Sequence, residues 1–363
     1  GANRSLLALI DGLITKPDFI PVVVLPREGP MKNELVKRGV QVYVVTFKSW
    51  MKPTRYKSIF RLCVNILAAF KIRKIVQYHE IGLLHTNSSV TPVGIWAAKL
   101  SNLPHVWHIR EFGWEDYKLR HDFGVGFFRY WLNKSDYNIA ISNSIYRKVL
   151  RFSETNYSII YNGVITQEKA LKIDVDNYAD QKKTKKFGII GKLSESKGQK
   201  QAIEAFSKIA GRIKGCKLLI AGNGDSFYTK ELKKLTKNLG INKKVTFLGY
   251  VSNPFNFFSS VDVVLVCSKN EAMGRVTAEA MISGKVVIGL DSAGTSELIE
   301  HKKNGLLYDG STKSLSKMML KSINQDMTNI KRSARKNALE NFLIDGYSKQ
   351  MWIVFKDNYK RKK

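Results

Sequence analysis

Acidic residues are scarce in this chain: 30 Asp and Glu stand against 60 Lys and Arg in 363 residues, a formal net charge of +30. Such a field draws polyanions of any kind, whether nucleic acid, an anionic lipid surface or a phosphorylated small molecule. Lysines spread over solvated faces give the same total, so charge alone selects none of these. Cysteine is scarce as well. Cys63, Cys216 and Cys267 lie far apart in apolar surroundings, with no Cys-x-x-Cys and no Cys/His cluster. A zinc site built on them is excluded, and the expectation is three buried, reduced, structural thiols. Long apolar runs are missing too: none approaches the roughly 18 residues that a bilayer-spanning helix requires. No basic leader with an apolar core and a small-residue cleavage site is present, so the default expectation is a cytoplasmic protein. Neither a Gly-x-Gly-x-x-Gly fingerprint nor a Walker loop follows any strand pattern, and no recognition helix or single-strand-binding motif is visible. Nucleic acid is therefore not the expected partner.

What the chain does contain is length for two domains and a regular alternation. A hydrophobic fraction of 44% is ordinary for a globular protein, and 363 residues can bury two α/β cores. Short β-branched runs at 20–25, 39–45, 81–87 and 104–112 alternate with helical patterns, and the same rhythm returns from residue 187 onward. Strand-helix-strand alternation predicts parallel, doubly wound sheets. The chain opens on a helix pattern, with Leu6, Leu9, Ile10, Leu13 and Ile14 on one face, and a polar, charged stretch over 166–186 reads as a connection between domains. The helical pattern at 55–78 carries Ile59, Leu62, Cys63, Ile66, Leu67, Phe70 and Ile75 beside Arg55, Lys57, Arg61, Lys71, Arg73 and Lys74. It predicts an apolar stripe facing the core with a solvated basic back, the alternative being docking at a membrane surface. Aromatic residues between 113 and 134 admit the same two readings.

The densest signal is Glu271-Ala-Met-Gly-Arg-Val-Thr-Ala-Glu279. It follows the buried-strand pattern 261–267, turns at Gly274 and enters a helix closed by Gly284. Free N–H groups and the positive dipole end at that helix start suit an anion such as a diphosphate, and carboxylates on either side suit hydroxyls. Strand ends elsewhere also collect polar groups, at His108-Ile-Arg-Glu111 and in the loop Gly191-Lys-Leu-Ser-Glu-Ser-Lys197. In open α/β sheets, ligands bind at that edge.

Glu-x7-Glu with its central Gly, the following Val-Val-Ile-Gly and the segment Asp291-Ser-Ala-Gly-Thr-Ser-Glu297 together resemble the donor site of retaining glycosyltransferase family 4. The resemblance covers nearly the whole chain and is most specific between Lys192 and Glu297; one Gly of the family's usual pair is Ala293. It implies a GT-B fold, two Rossmann-like domains facing a central cleft: an acceptor domain over 1–165, a linker over 166–186, a donor domain over 187–342, and a C-terminal helix at 343–363 crossing back to the first domain. In the family, a strand and a Gly-Gly-Ala loop precede the first helix, so the chain is expected to lack an opening strand, with Gly1 and Ala2 the end of that loop at the donor phosphate. The donor site implied is Gly1, Ala2, Gly191, Lys192, Lys197, Gly222, Tyr250, Glu271, Met273, Gly274, Arg275, Val276 and Glu279. Glu271 faces the sugar, Glu279 holds the ribose, and Lys192 and Lys197 hold the diphosphate. Lys192 stands where the family has Arg, which keeps the charge and loses the planar fork. On the acceptor side the resemblance implies His108, beside the transferring sugar, with Arg110 and Glu111. Its catalytic set is His108, Glu271 and Lys197.

The implied function is metal-independent, retaining hexosyl transfer from a nucleotide diphosphate sugar, a UDP-sugar in the first instance. The acceptor is a saccharide or lipid-linked acceptor of bacterial surface polysaccharide. No cofactor is expected, the nucleotide sugar being substrate. An anionic membrane surface is weighed as a partner, with the protein then peripheral on the inner face of the plasma membrane. A nucleotide-sugar epimerase on the same fold and a polyanion-binding protein are the competing readings.

Overall fold

Asp262 fastens the start of the central strand pair in the second half of the chain. Its carboxylate accepts a hydrogen bond from the Lys186 N–H at 2.7 Å, and its own N–H donates to the Lys186 carbonyl at 2.8 Å. Around that anchor the computed structural model, which describes residues 1–175 and 185–360, divides into two compact units. The first comprises Gly1–Gly163 and Ile344–Lys363, of which 344–360 are described; the second comprises Val164–Leu343.

Strands are numbered here in chain order, and helices are given by residue range. In the first unit, β1 (Val22–Leu25) and β2 (Gln41–Val44) form a two-stranded parallel sheet, and β3 (Met51–Lys52) pairs antiparallel with β6 (Arg120–His121). A four-stranded parallel sheet runs β4 (Leu84–Thr86), β5 (His105–Ile109), β7 (Tyr137–Ala140), β8 (Tyr157–Ile159). All five residues of β5 are buried, as a central parallel strand with both faces covered requires. The helix Ala2–Leu13 lays Leu9 and Leu13 against Val106, Ile139 and Ile160. The helix Ile344–Lys360 adds Tyr347, Met351, Val354 and Phe355 to the same core. The last helix thus completes the first unit.

In the second unit β9 (Lys186–Ile190), β10 (Lys217–Ala221), β11 (Val245–Gly249), β12 (Val263–Val266), β13 (Val286–Leu290) and β14 (Leu306–Tyr308) form one parallel sheet in the order β11-β10-β9-β12-β13-β14. Winding runs outward in one direction from β9 and in the other from β12, so the switch point lies between them. Phe187, Phe206, Leu218, Leu265 and Ile288 fill the core on one side, with the helices Gln199–Ala210 and Thr312–Asn324. Residues 166–175 belong to this unit and not to a free linker. Thr166 caps the short helix Gln167–Leu171 through its side chain, Ala170 is fully buried, and the Ala170 carbonyl accepts from Arg335 Nη2 at 3.0 Å. The rest of the expected linker, from 176 to 184, lies outside the described residues.

The helix Ser58–Tyr78 turns the opposite way from the sequence expectation. Arg61, Asn65, Ala68, Ala69, Ile72 and Val76 point inward, while Ile59, Phe60, Cys63, Ile66, Leu67 and Phe70 point to solvent. Cys63 is thereby exposed, whereas Cys216 and Cys267 are buried as expected. The inward orientation is fixed by polar groups. Arg61 donates through Nε to Asp122 Oδ2 at 2.7 Å and through Nη2 to Asp122 Oδ1, and Asn65 exchanges hydrogen bonds with the backbone of Lys48. Of the aromatic segment, Phe128 packs in a buried group with Trp50, Trp107 and His121, whereas Trp114, Phe123 and Tyr130 are exposed.

Because the Asp122 side chain is almost wholly enclosed and Arg61 nearly so, removing one partner strands a buried charge. Asp122→Ala is expected to lower unfolding stability by about 3–5 kcal/mol, read as a fall in the urea midpoint. An unchanged midpoint rejects the inward assignment of Arg61.

Candidate functional site in the second unit

β9 and β12 pair only through Val263 with Phe187 and Val264 with Gly188. Both strands continue beyond that point, β9 to Ile190 and β12 to Val266, without further pairing. Tied together at their start by Asp262, they stop pairing toward their C-terminal ends and leave a narrow crevice of about 10 Å³. Ile189, Ile190, Leu265, Val266, Cys267 and Ser268 line it from the strands, and Lys197, Glu271 and Val276 from the loops and helix above. Parallel α/β sheets bind ligands at such a switch point.

Two loops meet over the crevice. After β9 the chain turns at Gly191, and Gly222 lies so close that a Cβ on it would stand 1.8 Å from the Gly191 carbonyl oxygen, a fit open only to glycine. The short 3-10 turn Glu195–Lys197 then delivers the Lys197 ammonium to Glu271, with Nζ to Oε1 at 2.5 Å. After β12 the chain reaches Gly274, whose φ of +83° is a left-handed conformation that glycine adopts without penalty. The helix Arg275–Ile282 begins there, with its first-turn N–H groups facing the loop end. Arg275, a cation at the positive end of a helix dipole, is electrostatically misplaced. Glu279 offsets this one turn later, its Oε1 3.4 Å from Arg275 Nη2. An anion above the helix start would be favoured by the dipole, by Arg275 and by Lys197.

The other expected donor residues divide. Lys197, Glu271 and Val276 come together at the crevice, Gly274 and Arg275 stand at the helix start just before Val276, and the buried Met273 lies between Glu271 and the helix. Lys192 does not join Lys197. It is exposed and lines a separate pocket with Glu195, Asp225, Phe227, Tyr228 and Glu231. Glu279 is fully buried, so its carboxylate offers no accessible surface for a ribose while Arg275 holds it. Tyr250 follows β11 at the edge of the sheet and is exposed. Among the described residues, no group of three His, Cys, Asp or Glu side chains could hold a metal ion.

In the first unit the expected acceptor residues form an internal network. Arg110 is buried and donates to Asn87 Oδ1 at 3.0 Å, to His108 Nδ1 at 3.1 Å, to Tyr347 Oη at 3.1 Å and to Asn162 Oδ1. Its guanidinium therefore joins strand ends to the last helix instead of waiting for a substrate anion. Glu111 accepts from the Ser88 hydroxyl at 3.0 Å and from the Ser89 hydroxyl and N–H at 3.0 and 3.2 Å; burial raises its carboxyl pKa. His108, expected to be open to a sugar, is fully buried, and burial together with the Arg110 charge holds its pKa well below the usual imidazole range. With Nδ1 accepting from Arg110, the proton of the neutral ring sits on Nε2. His85 lies beside it, ring centroids 5.7 Å apart, its pKa pushed down to about 3 by burial and Arg110. Sequence reasoning missed this network because Asn87, Asn162 and Tyr347 are remote along the chain. Gly1 is the N-cap of the first helix, and the Ala2 carbonyl accepts from Asn87 Nδ2 at 3.1 Å.

The fold and the two-unit organisation match solved structures. The chain superposes on HepE of Anabaena, crystallised with UDP-glucose, with a TM-score of 0.79 at 22% identity, covering 98% of this chain and 96% of that one. The fold is GT-B. Residues 31–168 match the family described as Glycosyltransferase Family 4, and residues 172–340 match Glycosyl transferases group 1. By these matches the chain is similar to the family 4 glycosyltransferases. Similar curated proteins include an uncharacterised glycosyltransferase of Methanocaldococcus jannaschii, 31% identical over 46% of this chain and 45% of that protein. Another is the N-acetyl-alpha-D-glucosaminyl L-malate synthase of Bacillus anthracis, 27% identical over 63% of this chain and 61% of that protein. The matched region thus spans about half the length of these relatives.

The buried imidazoles give the chain an acid-sensitive first unit. His85, His105 and His108 stay neutral when folded but take up protons when unfolded below about pH 6.5, the ordinary imidazole value. Stability is therefore complete above that pH and declines as pH falls toward 3, by at most about 1.4 kcal/mol per pH unit for each histidine. Melting temperature measured from pH 7.5 down to 4.5 should hold to about pH 6.5 and fall below it, less steeply in His85→Gln; identical slopes would count against neutral burial of His85.

Proposed function

We propose that the chain transfers a hexosyl unit from a nucleotide diphosphate sugar to a saccharide or lipid-linked acceptor, with retention of anomeric configuration. The observation that carries this reading is the meeting of Lys197 and Glu271, 2.5 Å apart, over a crevice at the switch point and next to a helix start. HepE, solved with UDP-glucose, supports a UDP-sugar as the first donor to test.

In this reading the diphosphate lies over the start of the helix Arg275–Ile282. Its Lys197 ion pair then opens, the ammonium turning to phosphate oxygen and Glu271 to a sugar hydroxyl. As the C1–O bond to the diphosphate breaks, negative charge grows on the leaving group, where Lys197, Arg275 and the helix dipole stabilise it. The acceptor oxygen bonds C1 on the same face, and its proton passes to the departing diphosphate. Glu271 is not assigned the part of a covalent nucleophile. Positive charge at the leaving group comes from side chains and backbone, without a divalent cation. The product belongs to a surface polysaccharide or its lipid-linked precursor.

Glu271→Ala and Lys197→Ala are each expected to lower turnover about 100-fold or more, with melting temperature within a few degrees of the parent. Near-normal turnover in both variants rejects this site. A panel of nucleotide sugars should raise the melting temperature selectively, since a ligand that binds only the folded state stabilises it. Labelled donor consumed without transfer to any acceptor, and recovered as an isomer, would favour epimerisation.

A further inference from the structure

The helix Ser58–Tyr78 has its more apolar side facing water. Along its exposed stripe stand Ile59 at 73%, Phe60 at 57%, Leu67 at 63% and Phe70 at 47% of full exposure, with Ile66 and Tyr78 also exposed. The inward stripe holds Arg61, Asn65, Ala68 and Ala69 before reaching Ile72 and Val76. A surface helix normally shows the reverse order. The arrangement is no slip of register, because Arg61 is locked on Asp122 and Asn65 on the Lys48 backbone.

The stripe extends beyond the helix. The Arg61 guanidinium also donates to the Tyr56 carbonyl at 2.6 Å, holding a residue whose ring is 75% exposed. The Arg55 guanidinium reaches to 3.9 Å from where a Cβ on Gly124 would stand, which brings the exposed Phe123 and Val125 beside the start of the helix. Tyr56, Phe123 and Val125 thus add exposed apolar surface to the band near the start of the helix. A band of this kind on a soluble protein marks an interaction surface.

Charge decides what covers it. Between Met51 and His79 there is no Asp or Glu, while Lys52, Arg55 and Lys57 stand exposed before the stripe and Lys71 and Lys74 beside its far half. A second copy of the chain, docked through the same band, would set these cations against one another with no acid on the helix to answer them. An anionic bilayer surface answers them all: phosphate headgroups take the lysines and arginines, and the acyl boundary takes Ile59, Phe60, Leu67 and Phe70. We infer that the outward face of the helix Ser58–Tyr78 is a docking surface for an anionic lipid bilayer, with the helix lying in the plane of the interface. This surface goes beyond the donor reading and is independent of it, since vesicle binding needs no nucleotide sugar.

The test is flotation of the full chain with vesicles of phosphatidylcholine alone and of phosphatidylcholine mixed with phosphatidylglycerol. The protein should float with the mixed vesicles and not with the neutral ones, and added salt should weaken the association. Leu67→Asp combined with Phe70→Asp, and separately Lys71→Glu combined with Lys74→Glu, should each reduce the vesicle-bound fraction about tenfold while circular dichroism melts stay unchanged. No flotation with anionic vesicles overturns the inference, as does equal flotation of parent and both variants. A concentration-dependent dimer abolished by Leu67→Asp and Phe70→Asp, without vesicle binding by the parent, overturns it in favour of self-association. Donor-induced stabilisation is measured without vesicles, so failure of one reading leaves the other standing.

Discussion

Two parallel strands that are fastened at one end and unpaired at the other govern the second unit. Asp262 closes the bottom of the β9–β12 pair, the ladder ends after two residue pairs, and every group at the site is placed relative to the gap that follows. The order of winding puts the gap there, since the sheet is wound outward from β9 on one side and from β12 on the other, and the loops that follow these two strands meet over it. What the sequence adds is chemistry: a lysine turn on one lip, a glutamate and a helix start on the other.

The Lys197–Glu271 pair shows how such a site is kept ready without ligand. Each side chain is partly desolvated, and either one alone would be an uncompensated charge in a recess. Together they hold both loops in place, and both remain short of full burial, so an incoming anion and hydroxyl can take over the two halves of the pair. Arg275 and Glu279 form a second, more enclosed pair one helical turn deeper. The polar groups around Arg110 in the first unit serve differently. Four of the five Arg110 N–H groups donate to protein, so the cluster ties secondary structure together.

The donor half was legible because its signals are local. A β-branched strand, Glu271, Gly274 at a turn and a helix that carries Glu279 fall within about twenty residues, and each element dictates its neighbour. Lys192 shows the limit, since five residues separate it from Lys197 while its side chain lines a separate pocket. The helix Ser58–Tyr78 shows a different limit. Its periodicity predicts a helix correctly, yet two stripes can face the core, and the choice is made by Asp122, sixty-one residues after Arg61. Counting apolar residues favours the wrong stripe, because a charge satisfied by a distant partner outweighs several leucines and phenylalanines that find another use. His108 and Arg110 escaped in the same manner, their surroundings being set by Tyr347, 237 residues beyond Arg110.

The chain leaves its first unit at Gly163 and re-enters it at Ile344, and that route has a consequence for synthesis on the ribosome. The second unit is one unbroken stretch and can close while the chain is still growing. The first unit waits: Leu9, Leu13 and Val106 precede the second unit, but Tyr347 and Met351, which seal them, follow it. Until residues 347–351 are made, the part of the first unit already synthesised keeps an unsealed apolar seam, and the nascent chain depends on whatever shelters it at the tunnel exit.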